Sequence, residues 1–185
     1  MSCRLRSGLC CLAWLCFVMS GCAGIGHSPS HMRVIGHGMP DVDLDNAIYE
    51  VPVKPEVSYQ ALVESLKSLS EGMNFVSPAT FPLGEHMQKR GLDPQGIKEV
   101  RTFCNLSMGT EIMLDHPEFL VFAPCRLAIY EKLDATGKRQ LYLGLDRPTH
   151  DLKNIRHPTA RAQASAQQLE DALIDLMDKA SRGDF

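Results

Sequence analysis

The stretch of the chain that decides its fold is FCNLSMGTEIMLDHPEFLVFAPCRLAIYE, residues 103–131. A polar–apolar alternation runs into it from residue 99, and a second alternation over residues 125–133 closes it. Side chains of one type at every second position are typical of a strand with one buried face. Residues 134–138 (DATGK) have the composition of a hairpin turn, and residues 139–145 (RQLYLGL) read as the returning strand. The segment therefore predicts consecutive antiparallel strands interrupted by one short helix.

Two longer helices and an edge strand flank this segment. After Ser58, a residue that caps helices well, apolar side chains recur at helical spacing as far as Gly72. A second apolar stripe of this kind spans Thr159 to Ser181. The strand AIYEVPV at residues 47–53 contains a proline, whose missing N–H favours the edge of a sheet. We expect an α+β fold of the order β-α-β(n)-α, a two-layer arrangement in which helices pack on one face of an antiparallel sheet.

The first residues of the chain have the pattern of a bacterial export signal. Arg4 and Arg6 precede an apolar run over residues 9–19, and small residues follow the run. A membrane-spanning helix needs about 20 apolar residues, which is more than this run provides. An uncleaved helical anchor is therefore the alternative and not the first interpretation. The sequence MSGC, which ends at Cys22, resembles the lipobox of bacterial lipoproteins, where the cysteine is acylated and becomes the new N-terminus. In the other interpretation, Cys22 is one more residue of the apolar segment.

These features divide the chain into three parts. We predict a lipoprotein signal peptide over residues 1–21, a lipidated flexible tether over residues 22–46 and a single α+β domain over residues 47–185. Because each buried acyl methylene contributes about 0.8 kcal/mol, lipidation makes a membrane the expected partner of Cys22. Ala23, rather than an aspartate, follows the cysteine, which favours the periplasmic face of the outer membrane.

The cysteines divide among the predicted signal peptide, the predicted lipidation site and the domain. Of the 7 cysteines, four lie in the predicted signal peptide and Cys22 is the predicted lipidation site. Cys104 and Cys125 remain in the domain, and in an oxidising periplasm such a pair predicts a disulfide rather than a zinc site. The bond would close a loop of about 22 residues, worth roughly 3 kcal/mol in the chain-entropy model. Two buried free thiols, or a pair with redox or ligand-binding duty, are the alternatives.

Composition and motifs exclude several functions. The formal net charge is −3 and becomes −5 when Arg4 and Arg6 leave with the signal, and no basic block is present, so nucleic acid is not an expected partner. The histidines stand at no metal-binding spacing and the haem motif Cys-X-X-Cys-His is absent, so neither a metal nor a cofactor is predicted. No Gly-X-Ser-X-Gly elbow occurs, and Glu111 and Asp115 are expected on a solvated helix face. No catalytic residue is therefore predicted.

Three short motifs link the chain to a known family. They are FCN at residues 103–105, PCRLAIYE at residues 124–131 and SYQALVESLKSLSEGMNFV at residues 58–76. Together they resemble the domain-of-unknown-function 302 family, and the resemblance covers about residues 47–182. The family implies a compact β-α-β(n)-α fold and no agreed activity. Some members carry an Asp-His pair after the second strand, where this chain has Ala-Thr-Phe at residues 79–81, so no role of that pair is transferred.

The FCN and PCR motifs are also where we expect a binding site, between sheet and helix. Phe103, Asn105 and Arg126 are the candidate contacts for a small apolar ligand or a protein partner in the envelope. In the alternative interpretation these residues close the core, and Arg126 pairs with a carboxylate. A different class of function is a periplasmic thiol-disulfide or electron-transfer accessory that uses Cys104 and Cys125. An envelope scaffold is the third hypothesis.

Overall fold

A computed structural model of the full chain describes residues 32–33 and 42–185. The predicted signal peptide, the predicted lipidation site Cys22 and most of the predicted tether lie outside the described residues. Among the residues that the structure does describe, no helix is long and apolar enough to cross a bilayer. The elements are β1 (Met32–Arg33), β2 (Val42–Asp43), β3 (Ile48–Pro52), α1 (Tyr59–Gly72), β4 (Thr80–Phe81), α2 (Leu83–Gln88), β5 (Lys98–Phe103), α3 (Leu106–Asp115), a 3₁₀ turn (Pro117–Val121), β6 (Cys125–Leu133), β7 (Arg139–Asp146), α4 (Pro148–Leu152) and α5 (Ala160–Ser181).

Five strands form one antiparallel sheet in the order β3-β7-β6-β5-β4. The hairpin β6–β7 is its centre, and its register places Ile129 opposite Leu143, both of them fully buried. β3 pairs only with β7 and so lies at one edge, where the proline in the sequence predicted it. The α+β prediction is confirmed, because the helices pack against one face of this sheet.

The core lies between that face and the three long helices. α5 supplies the largest stripe, and its inward side chains are buried at the spacing that the sequence predicts. The fully buried core includes the following side chains: Leu62, Leu66, Phe103, Ile112, Leu127, Ile129, Leu143, Leu145, Leu173, Ile174, Leu176 and Met177. The opposite face of β6 carries the exposed side chain of Arg126. One face of the sheet is therefore buried and the other is open.

Side-chain caps start the long helices. Ser58 Oγ accepts the N–H of Ala61 at 3.1 Å, and Thr159 Oγ1 accepts the N–H of Ala162 at 3.1 Å, which satisfies donors that have no partner within the helix. Gly183, in the left-handed region with φ 76°, follows the end of α5. The boundaries of α1 and α5 agree with the sequence prediction because each is marked by a capping residue as well as by an apolar stripe.

A buried ion pair joins the end of β7 to the middle of α5. Arg147 is 2% exposed and Glu170 is 0% exposed. Nε and Nη2 of Arg147 donate to Glu170 Oε1 at 3.2 and 2.9 Å. The other carboxylate oxygen accepts from the N–H of Thr149 at 3.1 Å and from its hydroxyl. Sequence reasoning missed the pair, because Arg147 lies in a segment that reads as a connector.

The same guanidinium holds the start of the domain. Nη1 of Arg147 donates to the backbone carbonyls of Asp43 at 2.6 Å and Asn46 at 2.5 Å. Beside them, Val42 is 1% exposed and belongs to the core. Val42, upstream of Ala47, thus packs with the domain, because a partner distant in sequence orders a segment whose own composition reads as a tether.

Replacement of Arg147 alone should be strongly destabilising. We expect Arg147→Met to lower the free energy of unfolding by about 3–5 kcal/mol, because Glu170 stays behind as an uncompensated buried charge. The double variant R147M/E170L should recover more than half of that loss, since it buries no charge. Urea unfolding followed by far-ultraviolet circular dichroism measures both.

Arg161→Met is the matched control, because Arg161 makes an ion pair with Asp115 that is largely open to solvent. The urea concentration at its unfolding midpoint should shift far less than that of R147M. An equal shift in both single variants, or a double variant less stable than R147M, would contradict the argument.

Candidate functional site

An enclosed pocket lies where the FCN and PCR motifs meet, under α3 and the 3₁₀ turn. The register of β5 and β6 places Phe103 directly opposite Cys125, and both motifs contribute to the wall. We call it the cysteine pocket, and its volume is about 30 Å³. It is lined by Phe103, Cys104, Asn105, Gly109, Met113, Phe119, Phe122, Ala123, Pro124, Cys125, Pro148, Asp151 and Leu169.

The two domain cysteines are free thiols, each partly buried, so the predicted disulfide is not formed in the structure. In the strand register Cys125 faces Phe103, and Cys104 lies one residue beyond the paired stretch. The thiols nevertheless lie close enough to interact electrostatically.

Burial makes Cys125 a poor nucleophile. Desolvation, followed by repulsion from Cys104 and from Asp151 and Asp146, raises the pKa of the Cys125 thiol to about 12. At neutral pH only about one Cys125 thiol in 10⁵ is then ionised, against a few per cent for a free cysteine. The thiol is therefore held neutral unless something in the pocket replaces its proton.

The remaining predicted contacts have different positions. Phe103 is 1% exposed and forms part of the pocket wall and the core. Asn105 is the N-cap of α3: its Oδ1 accepts the N–H of Met108 at 3.3 Å, and its Nδ2 lies 3.5 Å from the carbonyl of Met73. The hydroxyl of Ser107 donates to the same Oδ1 at 2.7 Å. Ser107 therefore supports the cap but is not the cap itself.

Arg126 does not line the cysteine pocket. Strand alternation directs its side chain to the open face of the sheet, where it pairs with Asp146 and remains 48% exposed. The alternative interpretation of Arg126, a pair with a carboxylate, matches this contact. Arg126 therefore lies outside this pocket, because adjacent strand residues point to opposite faces, and its role as a ligand contact stays a prediction.

A carboxyl pair connects Arg126 with the pocket. Asp151, at the end of α4, lines the cysteine pocket and shares a hydrogen bond with the carboxylate of Asp146. Burial, and then the charge of Asp146, raise the pKa of Asp151 to about 6, and Arg126 partly offsets the rise. Asp151 is therefore the one described lining residue whose charge changes near neutral pH. Sequence reasoning missed it, because no local motif marks it.

Flexible and aromatic side chains close the pocket. The ideal Cβ position of Gly109 lies 3.7 Å from Met113 Cε, so the end of the methionine side chain covers the glycine. The rings of Phe119 and Phe122 pack in a tilted arrangement, with their centroids 5.6 Å apart. Nε2 of the buried His116 accepts the N–H of Thr159 at 3.1 Å.

The acidic residues of α3 have a structural role. Glu111 and Asp115 both pair with Arg161 at the start of α5. The pairing holds the two helices together above the cysteine pocket, and it agrees with the expectation of a solvated face. The sequence suggested no catalytic role for these carboxylates, and their contacts give none.

A larger open cleft of about 340 Å³ lies toward α2. Its buried acid, Glu99, accepts from the hydroxyl of Tyr59 at 2.7 Å and from Nε of Arg101 at 2.5 Å. These contacts satisfy the carboxylate within the fold. Throughout the described part of the chain, no group of three or more His, Cys, Asp or Glu side chains is arranged to hold a metal.

The raised pKa of Asp151 has a consequence for stability. Because the folded state holds the proton more tightly than the unfolded chain, this group's contribution is complete below about pH 4 and is lost as the pH rises through about 6. We expect Asp151→Asn to match the parent protein near pH 4 and to be about 1–3 kcal/mol more stable at pH 8. Urea unfolding at a series of pH values measures the difference.

Asp134→Asn is the matched control. Hydrogen bonds in the β6–β7 turn lower the pKa of Asp134, so this variant should be less stable than the parent protein above about pH 4, and the difference should shrink as the pH falls below about 4. The assignment would be wrong if D151N and the parent protein changed in parallel across the whole pH range.

Comparisons with known proteins identify the family of the domain. Residues 49–180 match the family described as domain of unknown function DUF302. The fold is similar to the crystal structure of an uncharacterized conserved protein DUF302 from Bacillus stearothermophilus, with a TM-score of 0.63 and 21% identity over 72% of this chain and 98% of that chain. No curated protein matches the chain. The matched region contains both motifs of the cysteine pocket, and the chain belongs to the DUF302 family.

Proposed function

We propose that this protein is a lipid-anchored envelope protein whose DUF302 domain binds one small ligand in the cysteine pocket. The observation that supports the proposal is the convergence of FCN and PCR on one small, partly enclosed pocket. Phe103 and Phe119 provide its apolar walls, while Cys104, Cys125 and Asp151 provide groups that can interact with a ligand. A few polar groups in an apolar enclosure are typical of ligand sites.

The volume limits the ligand. Sites for drug-sized molecules have cavity volumes of about 300–1,000 Å³, whereas a cavity for a single water needs about 10–15 Å³. The cysteine pocket, at about 30 Å³, therefore suits a ligand of a few atoms. This size argues for an ion or a very small molecule rather than for an extended apolar compound or an inserted peptide.

The proposed location rests on the N-terminal sequence. A charged start, an apolar run over residues 9–19 and the lipobox-like MSGC precede the domain. Acylation of Cys22 by two or more chains would hold the protein on a membrane. Residue Ala23 favours the periplasmic face of the outer membrane within the same proposal.

A thiol-disulfide role is the second candidate. It is favoured by two free thiols at one pocket, and opposed by the raised pKa of Cys125. A reduction potential well above about −300 mV for a Cys104–Cys125 bond would favour it over the binding role. The neutral Cys125 thiol is a poor starting point for thiol exchange, which is why we place binding first.

Replacement of Cys22 should abolish membrane attachment. In the parent protein we expect an N-terminus that starts at an acylated Cys22 and recovery in the membrane fraction. Cys22→Ser should lack the lipid, because serine offers no thiol to acylate. Intact-mass spectrometry of fractionated cells measures both properties.

Cys16→Ser is the control, since Cys16 lies within the apolar run and its thiol has no part in the proposed acylation. It should remain lipidated. Recovery of the parent protein as a soluble chain that still begins at Met1 would refute the proposed location.

Filling the pocket should remove its ligand. Native mass spectrometry of protein purified from the envelope without refolding should show a small retained mass. Gly109→Leu should lose most of it, because the new side chain extends from the pocket wall toward Met113. Thr110→Leu, at the next and exposed helix position, should keep it.

Circular dichroism of both variants confirms that they fold. The binding proposal fails if the parent protein carries no retained species, or if G109L and T110L retain it equally.

A further inference from the structure

We propose that the ligand of the cysteine pocket is a soft monovalent metal ion, Cu(I), held by the sulfur atoms of Cys104, Cys125 and Met113. The inference rests on the proposed binding function of the same pocket and names the chemistry of its ligand. It differs from the sequence-based expectation of no metal, because the three sulfurs are distant in sequence and only the fold assembles them.

The donor set is the first argument. Three of the lining side chains carry sulfur: two thiols and one thioether. Thiolate and thioether ligands select Cu(I) over hard cations such as Mg²⁺ and Ca²⁺. The described residues offer no group of three His, Cys, Asp or Glu for Zn²⁺, whereas Cu(I) is satisfied by about two or three sulfur ligands.

The charge of the pocket is the second argument. Its ionisable lining groups, within the described part of the chain, are the two thiols and Asp151, and each of them is neutral or negative. These acidic groups disfavour an anion in the pocket and are compatible with a cation. Arg126 and its partner Asp146 lie on the open face of the sheet and do not occupy this space.

Size and thiol state are the third argument. The volume of about 30 Å³ fits one ion with its ligands and little else. Both thiols are unbonded and belong to residues that line the same pocket, so each is available to bind an ion. Binding is a proton exchange without electron transfer: Cu⁺ forms one Cu–S bond to each thiolate and one to the Met113 thioether, both S–H bonds break, and two protons leave to solvent. Affinity must therefore rise with pH.

The test is an anaerobic titration of the reduced full-length protein with Cu(I), in competition with a chromophoric Cu(I) chelator. The other cysteines are present in every variant, so the Cu(I) affinity lost at this site is measured as the difference between the variant and the parent protein. We expect Cys104→Ser and Cys125→Ser each to weaken Cu(I) binding at this site by about 100-fold or more, and Met113→Leu by about tenfold. Met108→Leu, on the same helix but outside the pocket, should leave it unchanged.

Alkylation mapping gives a readout that does not depend on variants. Peptide mass spectrometry should show that Cu(I), and not Mg²⁺, protects Cys104 and Cys125 of the parent protein from alkylation, and protects them more strongly at pH 8 than at pH 6. Unchanged labelling of both cysteines, or equal affinity in C104S, C125S and the parent protein, overturns the inference. If a retained organic species disappears in G109L while Cu(I) does not bind, the pocket still binds a ligand and the metal assignment alone is wrong.

Discussion

The ion pair between Arg147 and Glu170 is the constraint on which the arrangement of this domain depends. Both groups are inaccessible to water, so each is stable there only because the other, with backbone carbonyls and Thr149, satisfies it. One guanidinium thereby joins three regions that are far apart in sequence: the strand β7, the helix α5 and the segment around Asp43. Exchange of one partner would leave a charge with no solvent to compensate it.

The cysteine pocket is adjacent to this ion pair. Pro148 follows Arg147 in the chain, and Leu169 precedes Glu170; both of these apolar residues line the pocket. The pair thus fixes the separation of α4 and α5 at the position where the pocket needs two walls. A pocket of this small volume is sensitive to such positioning, because a shift of one wall by the radius of a single atom would close it or double its size.

The two faces of the sheet divide the polar groups by environment. On the open face, Arg126 and Asp146 form an exposed pair that contributes little to stability. On the covered side, Asp151 and Cys125 face apolar neighbours, so burial raises both pKa values. The link between the environments is the contact of Asp151 with Asp146 at the end of β7. Neighbouring acids therefore differ in behaviour because of position rather than residue type.

The sequence by itself determined the secondary elements, because their signals are local. Caps at Ser58 and Thr159, apolar stripes and strand alternation predicted α1, α5, β6 and the α+β class, and the FCN and PCR motifs predicted where a pocket would form. Only the tertiary structure decided which side chains meet there. It placed Arg126 outside the pocket by strand alternation, and it holds Cys104 and Cys125 as free thiols. It added Asp151, Met113 and the Arg147–Glu170 pair, whose partners are distant in sequence, since burial and long-range contact are properties of the packed chain and leave no local pattern.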